Sequence, residues 1–180
     1  YKPGKKIIQI KSQEMDVDLS TLNKILKESI DKKAWPGCVL IAAKSGKIFI
    51  KKAEGYHTYH KKRKMRESDI FDLASITKPV VTVSAAMKLF DQGLIGLDDP
   101  VESYLPKFRS ENRNLNNTKS NVTIKHLLTH TSGLPAYKPF YASALNEESF
   151  LDSIYKTNLN FKPGDSTVYS DLGMIFLVEI

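Results

Sequence analysis

Ser75 and Lys78 stand three positions apart in the stretch Phe71-Asp-Leu-Ala-Ser-Ile-Thr-Lys-Pro79. If that stretch opens a helix, both side chains fall on one face within reach of each other. A lone serine hydroxyl is a weak nucleophile. An amine beside it that is desolvated, or close to another cation, shifts toward its neutral form and can take the hydroxyl proton. A helix start would add backbone N–H groups favouring a developing oxyanion. The letters S-x-x-K also arise by chance: Ser153-Ile-Tyr-Lys156 satisfies them, but it closes a polar helical pattern and reads as surface.

Other chemistries fit less well. His126 and His130 have the i, i+4 spacing of zinc ligands on a helix, yet Leu127 stands where a metalloprotease has glutamate, and no third ligand follows. No metal and no organic cofactor are expected, and His130 is expected to order the loop through Gly133. A Ser–His–Asp triad is disfavoured because no G-x-S-x-G elbow occurs. The single cysteine, Cys38, lies among Val, Leu and Ile and reads as buried rather than reactive; one cysteine excludes an internal disulfide and a zinc finger.

The elements that must position Ser75 follow from the apolar periodicities. Residues 1–18 read as a linker or arm. Ser20 caps a helical stripe of Leu22, Ile25, Leu26 and Ile30, ended by Pro36-Gly37. Residues 38–43 and 47–51 are β-rich and joined by Lys44-Ser45-Gly46, which predicts a hairpin. Residues 19–60 therefore form a helix plus hairpin, and 61–180 a helical lobe. Within the lobe, 76–91 reads as one long helix closed by Gly93, and Asp98-Asp99-Pro100 reads as the start of another. Residues 109–121 read as a polar loop. Thr123 caps a helix through His130, Asn146 caps one through Tyr155, and Asp171 opens the last.

Composition sets the outer limits. The chain has 180 residues, 41% hydrophobic and 26% charged, enough to bury a core and too apolar for disorder. Apolar runs such as Ile175-Phe-Leu-Val178 are far short of the roughly 18 residues of a membrane span. The net charge of +7 and the run Lys61-Lys-Arg-Lys-Met-Arg66 admit a nucleic-acid patch, but no recognition motif surrounds the run. It reads as a solvated connection, with no nucleic-acid partner.

Two more motifs join Phe71–Pro79 in order: Leu127-Leu-Thr-His-Thr-Ser-Gly-Leu-Pro135 and Tyr169-Ser-Asp-Leu-Gly173, with Gly96-Leu-Asp-Asp-Pro-Val101 between. Together, from about Leu22 to Ile180, they closely resemble the serine β-lactamase and penicillin-binding-protein family, in its class C β-lactamase, esterase and D-aminopeptidase branch. The resemblance implies an α+β fold, a helical lobe beside an antiparallel sheet flanked by helices, with the site between them. It implies a serine hydrolase acting through an acyl-enzyme on a β-lactam, cell-wall peptide or ester. Ser75 is then the nucleophile, Lys78 assists proton transfer, Tyr169 is general base and acid, and Asp171 contacts substrate. A phenol beside an ammonium has a lowered pKa, which suits the tyrosine to base chemistry. The same resemblance implies a periplasmic or otherwise extracytoplasmic bacterial setting. An alternative is a catalytically incomplete accessory module of a larger cell-wall enzyme, fused behind an N-acetylglucosaminidase-type glycoside hydrolase.

The sequence departs from the family pattern twice. Asp171 stands where the family has asparagine; a carboxylate accepts hydrogen bonds but cannot donate them, which favours esters or peptides over β-lactams. The late-strand Lys/His-Thr/Ser-Gly motif, whose strand supplies an oxyanion N–H, has no counterpart after Tyr169; Lys44-Ser45-Gly46 precedes the serine and reads as a decoy. The expectation is a fragment lacking the C-terminal part of the fold, nearly inactive alone and prone to self-associate at an open sheet edge.

Overall fold

The computed structural model describes residues 8–9, 18–109, 119–142 and 146–180. The chain forms two compact units, Tyr1–Asp72 and Leu73–Ile180.

In the first unit, α1 (Ser20–Asp31) lays its apolar stripe inward at Leu26. Asp18 supports its start: the carboxylate accepts the Ser20 N–H and hydroxyl at 2.8 Å each, two positions before the expected capping residue. The hairpin forms as the two β-rich runs predict: β2 (Gly37–Lys44) runs antiparallel to β3 (Lys47–Gly55), with a bulge at Ala42/Ala43. Ser45 and Gly46 turn the chain with φ of 52° and 76°. Gly37 and Gly55 face each other because nothing larger fits: a Cβ on Gly55 would sit 2.5 Å from the Pro36 carbonyl oxygen.

Two expectations for this unit need correction. The 1–18 segment is not all linker, since β1 (Ile8–Gln9) pairs in parallel with β3 and makes the order β1-β3-β2. The rest of that segment lies outside the described residues. The unit also runs past residue 60 to Asp72, because the basic run folds back instead of leading away. Asp69 gathers it: the carboxylate meets His57 Nε2 at 2.7 Å, Arg63 Nη2 at 2.8 Å and the Arg66 N–H at 2.7 Å. Tyr56 bridges Lys64, and the Met65 N–H donates to Gly55.

The second unit holds most of the buried apolar residues. Val101, Phe108, Val122, Ile124 and Leu127 are fully buried and pack with Leu134, Ile154, Leu172 and Phe176. The Phe108 and Phe176 rings meet edge to face at 4.7 Å. α3 (Ile124–Leu128) starts at Thr123 as expected but ends before His130; His126 Nδ1 accepts the Thr123 N–H and completes the cap. α4 (Glu147–Tyr155) is capped by Asn146, and α5 (Asp171–Glu179) is apolar on nearly every side, as a core helix is. Pro100 starts no α-helix. It is extended, bridges Thr123 and leads into a single 3-10 turn, Val101–Ser103, while Asp99 accepts the Gly96 N–H and the Tyr104 hydroxyl.

The expected long helix from Ile76 to Asp91 is the clearest departure. A 3-10 turn (Ala74–Ile76) leads into a π-helical stretch (Lys78–Val83), and only Ser84–Asp91 is α-helical; this is α2. Pro79 explains the break. It has no N–H to return to Ser75, and its ring would collide with the carbonyl four residues back in an α-turn. The β-branched run Val80-Val81-Thr82-Val83 adds crowding. The wider π turn relieves both, and the Ser84 hydroxyl closes it on the Pro79 carbonyl at 3.1 Å.

Candidate active site

Ser75 lies in the 3-10 turn that follows Ala74, whose φ of 44° is unusual for a residue with a side chain. Lys78 opens the π turn and donates to Ser75 Oγ at 3.3 Å, so the S-x-x-K spacing brings the two together although the helix between them is irregular. Tyr169 and Asp171 arrive from nearly a hundred residues further along. The Tyr169 phenol comes near enough to Ser75 and Lys78 for both to lower its pKa, and the Lys78 ammonium lies 5.0 Å from its ring centre. Asp171 Oδ1 is 2.8 Å from the ammonium. That oxygen is enclosed and has no well-directed hydrogen bond, so the contact is an ion pair. Ser75 and Tyr169 are exposed, and the Lys78 side chain is 18% exposed.

The neighbouring charges move Lys78 and Tyr169 in opposite directions. The Asp171 carboxylate raises the Lys78 pKa; partial burial opposes it, and contact with Tyr169 adds to it. Against the sequence argument for a neutral amine, Lys78 stands beside a carboxylate, not a cation, which favours its ammonium form. Tyr169 moves the other way. Its phenol pKa is lowered, first by the hydrogen bond with Ser75 and then by Lys78. The phenolate form is thereby made easier to reach, beside a positive charge.

The segment carrying Tyr169 is held by the loop after α3. Sequence reasoning expected His130 to order this loop through Gly133, and missed that it reaches across to Val168, Tyr169 and Ser170. Its carbonyl accepts the Val168 N–H at 2.9 Å, its Nδ1 accepts the Ser170 N–H at 3.0 Å, and its ring lies 4.7 Å from the Tyr169 ring. Further along, the Ser170 hydroxyl donates to the Pro135 carbonyl at 2.8 Å and accepts the Gly173 N–H, capping α5, while the Asp171 N–H donates to Ala136. Gly133 has φ of 86°, and a Cβ there would sit 2.3 Å from the Phe161 carbonyl oxygen. No local pattern signals such contacts between segments so far apart in the chain.

The two helical histidines are thus occupied separately, His126 at a helix cap and His130 on the tyrosine segment. Among the described residues no three His, Cys, Asp or Glu side chains converge as metal ligands, and no helix is long and apolar enough to cross a membrane. Ser153 hydrogen-bonds within α4, to the Ser149 carbonyl, away from this cluster.

Comparison with known proteins accords with this geometry. Residues 22–180 match the Beta-lactamase family. The chain is 40% identical over 113 residues to the esterase EstB of Burkholderia gladioli, covering 63% of this chain and 28% of that protein. It is 31% identical over 155 residues to Protein flp of Staphylococcus aureus strain N315, covering 84% and 30%. Among solved structures it resembles EstCE1, a hydrolase with promiscuous acyltransferase activity, at a TM-score of 0.73 and 26% identity over 93% of this chain and 47% of that one. The chain spans about a third of the length of these curated relatives and under half of the solved structure. Its α+β fold is β-lactamase-like, and the chain belongs to the β-lactamase and penicillin-binding-protein family of hydrolases.

Proposed function

We propose that Ser75 attacks an ester or amide carbonyl with Tyr169 as base and Lys78 as the permanent cation beside it. The convergence of Ser75 Oγ, Lys78 Nζ and the Tyr169 phenol, with the lysine pKa raised and the phenol pKa lowered, carries this reading. Tyr169 takes the serine proton as the Oγ–carbon bond forms. It returns that proton to the departing alcohol or amine as the carbon–leaving-group bond breaks. Water then adds to the acyl-enzyme, giving its proton to Tyr169, which passes it to Ser75 Oγ as the Oγ–carbon bond breaks and the acid leaves. Lys78 stays protonated throughout and stabilises the phenolate.

Esters suit the site better than β-lactams. With Asp171 in place of an amide, the site loses a donor toward a substrate carbonyl and gains negative charge. The likeness to an esterase supports the same preference. The relatives' greater length supports a second part of the proposal: the 180 residues alone turn over slowly, and a longer chain reaching a Lys/His-Thr/Ser-Gly strand works faster, by roughly 10²–10³ for one added oxyanion donor. We also place the reaction outside the cytoplasm of a bacterium, which fractionation of the source cells with an antibody would check.

Labelling with a fluorophosphonate, followed by peptide mapping, tests the nucleophile. The adduct is expected on Ser75 and lost in Ser75→Ala. Undiminished labelling of Ser75→Ala defeats the assignment, and no labelling of the full-length protein would favour an accessory, non-enzymatic module.

A further inference from the structure

We infer that His130 is a positioning residue for Tyr169, a neutral clamp whose Nδ1 and carbonyl oxygen fix the backbone on either side of the tyrosine while its ring backs the phenol. This deepens the proposed mechanism and rests on Tyr169 being its base.

The geometry gives the clamp its specificity. The Val168 and Ser170 N–H groups flank Tyr169 in the chain, and one residue accepts both, at 2.9 Å and 3.0 Å. A backbone N–H can only donate, so His130 Nδ1 must carry a free lone pair, and a neutral ring then bears its proton on Nε2. The 4.7 Å separation of the two rings limits where the phenol can swing. His130 adopts φ of 58°, a conformation that histidine and asparagine enter more readily than most side chains. The residue is thus held in an uncommon conformation that lets its carbonyl and its ring face the same partner segment.

The clamp has a built-in pH dependence. Protonation puts a hydrogen on Nδ1 opposite the Ser170 N–H, and the contact breaks. Of the charged groups that act on the ring, Lys78 opposes protonation and Asp171 favours it; burial opposes it most, and His130 is held below the ordinary imidazole range. The neutral, clamping form therefore prevails at neutral pH and fails only under acid conditions. That failure adds to the ordinary loss of phenolate as pH falls.

The test uses full-length protein with p-nitrophenyl acetate as probe, and compares wild type, His130→Ala and His130→Asn. Asparagine tolerates the backbone conformation and can offer Oδ1 near the place of Nδ1, but it has no such titration. His130→Ala is expected to lower the acylation rate by about 10- to 100-fold with little change in KM, because misplacement of a reacting group by ~1 Å is that costly. The Tyr169 phenol, followed as the ultraviolet difference from Tyr169→Phe, should titrate at higher pH in His130→Ala. His130→Asn should recover most of the rate. In the wild type the logarithm of the rate against pH should steepen from a slope of about one to about two below the ordinary imidazole range, and in His130→Asn it should keep a slope of about one. An unmoved phenol titration in His130→Ala overturns the inference. If that variant fails to fold, an unchanged steepening in His130→Asn overturns it. Full acylation by Tyr169→Phe would instead remove the base assignment, leaving the phenol titration to judge the clamp.

Discussion

Ser75 and Lys78 ride on backbone that is irregular and open, whereas Tyr169 and Asp171 sit at the head of a buried helix whose approach is pinned by hydrogen bonds. Around Ser75, Ile76, Val80 and Val81 are each more than half exposed, and from Ala74 to Asp91 only Ala86 is buried. Next to Tyr169, α5 buries Leu172, Gly173, Met174, Phe176 and Leu177, and the 130–136 loop receives donors from Val168, Ser170 and Asp171. The contrast follows from distance along the chain. A serine and a lysine three residues apart are neighbours in almost any helical turn, so their meeting tolerates the π distortion at Pro79. A tyrosine brought from another part of the chain has no such guarantee and needs rigid support to arrive within a few tenths of an ångström.

The comparison can be broken first at the chemistry. Lys78→Ala and Tyr169→Phe should each lower acylation by at least ~10²-fold, and the double variant should be little worse than either, because the pair acts as one unit. Rapid-quench or burst kinetics on an activated ester would check this. Additive losses would mean that the two sides work independently.

The support of the base side comes next. Gly133→Ala forces a side chain into φ of 86° and against the Phe161 carbonyl, and should destabilise the protein by at least ~2 kcal/mol in chemical denaturation. The same substitution at Gly93, also at positive φ (70°) but with open space around its Cβ position, should be milder. Equal effects would show that close contact in the 130–136 loop adds nothing.

Asp171→Asn sharpens the comparison at the point where the two sides meet. Removing the carboxylate lowers the Lys78 pKa from its raised position and lets the Tyr169 pKa fall further, since Asp171 raises both. The phenolate then forms at lower pH and the ammonium is lost at lower pH, so the whole rate profile should move toward acid. The amide should also raise β-lactam turnover relative to ester turnover. Parallel assays with nitrocefin and p-nitrophenyl acetate across pH would read both, and an unmoved profile would place Asp171 outside the charge balance.

The smallest effect is expected away from the site. Lys119 is buried over the Phe108 ring, donates to the Tyr155 carbonyl, and has its pKa pushed down to about 8 by burial. Because the folded pKa lies below the unfolded one, stability should rise with pH from about 8 toward the ordinary lysine range, and the contribution of this group should be flat below about 8. Lys119→Met should abolish that alkaline gain in Tm without altering acylation. A persisting gain would assign it to another group.

Much of this was legible in the residues alone. Two β-rich runs around Lys44-Ser45-Gly46 gave the hairpin, polar caps at Thr123 and Asn146 gave two helix starts, and Ser75, Lys78 and Tyr169 stood out by motif, because each of these depends on neighbours within a few residues. The sequence could not show that Pro79 converts a helix to a π turn instead of ending it, nor that Asp99 closes a turn instead of opening a helix; both outcomes depend on what packs against the segment. It also suggested a neutral Lys78, since only the folded chain brings the Asp171 carboxylate to 2.8 Å from that amine. The candidates Ser75, Lys78 and Tyr169 could thus be named from motifs within the chain. The ion pair that favours the charged form of Lys78, and the contacts of His130 with the backbone around Tyr169, came only with tertiary structure, because electrostatic interaction and hydrogen bonding depend on distances in space that chain spacing does not encode.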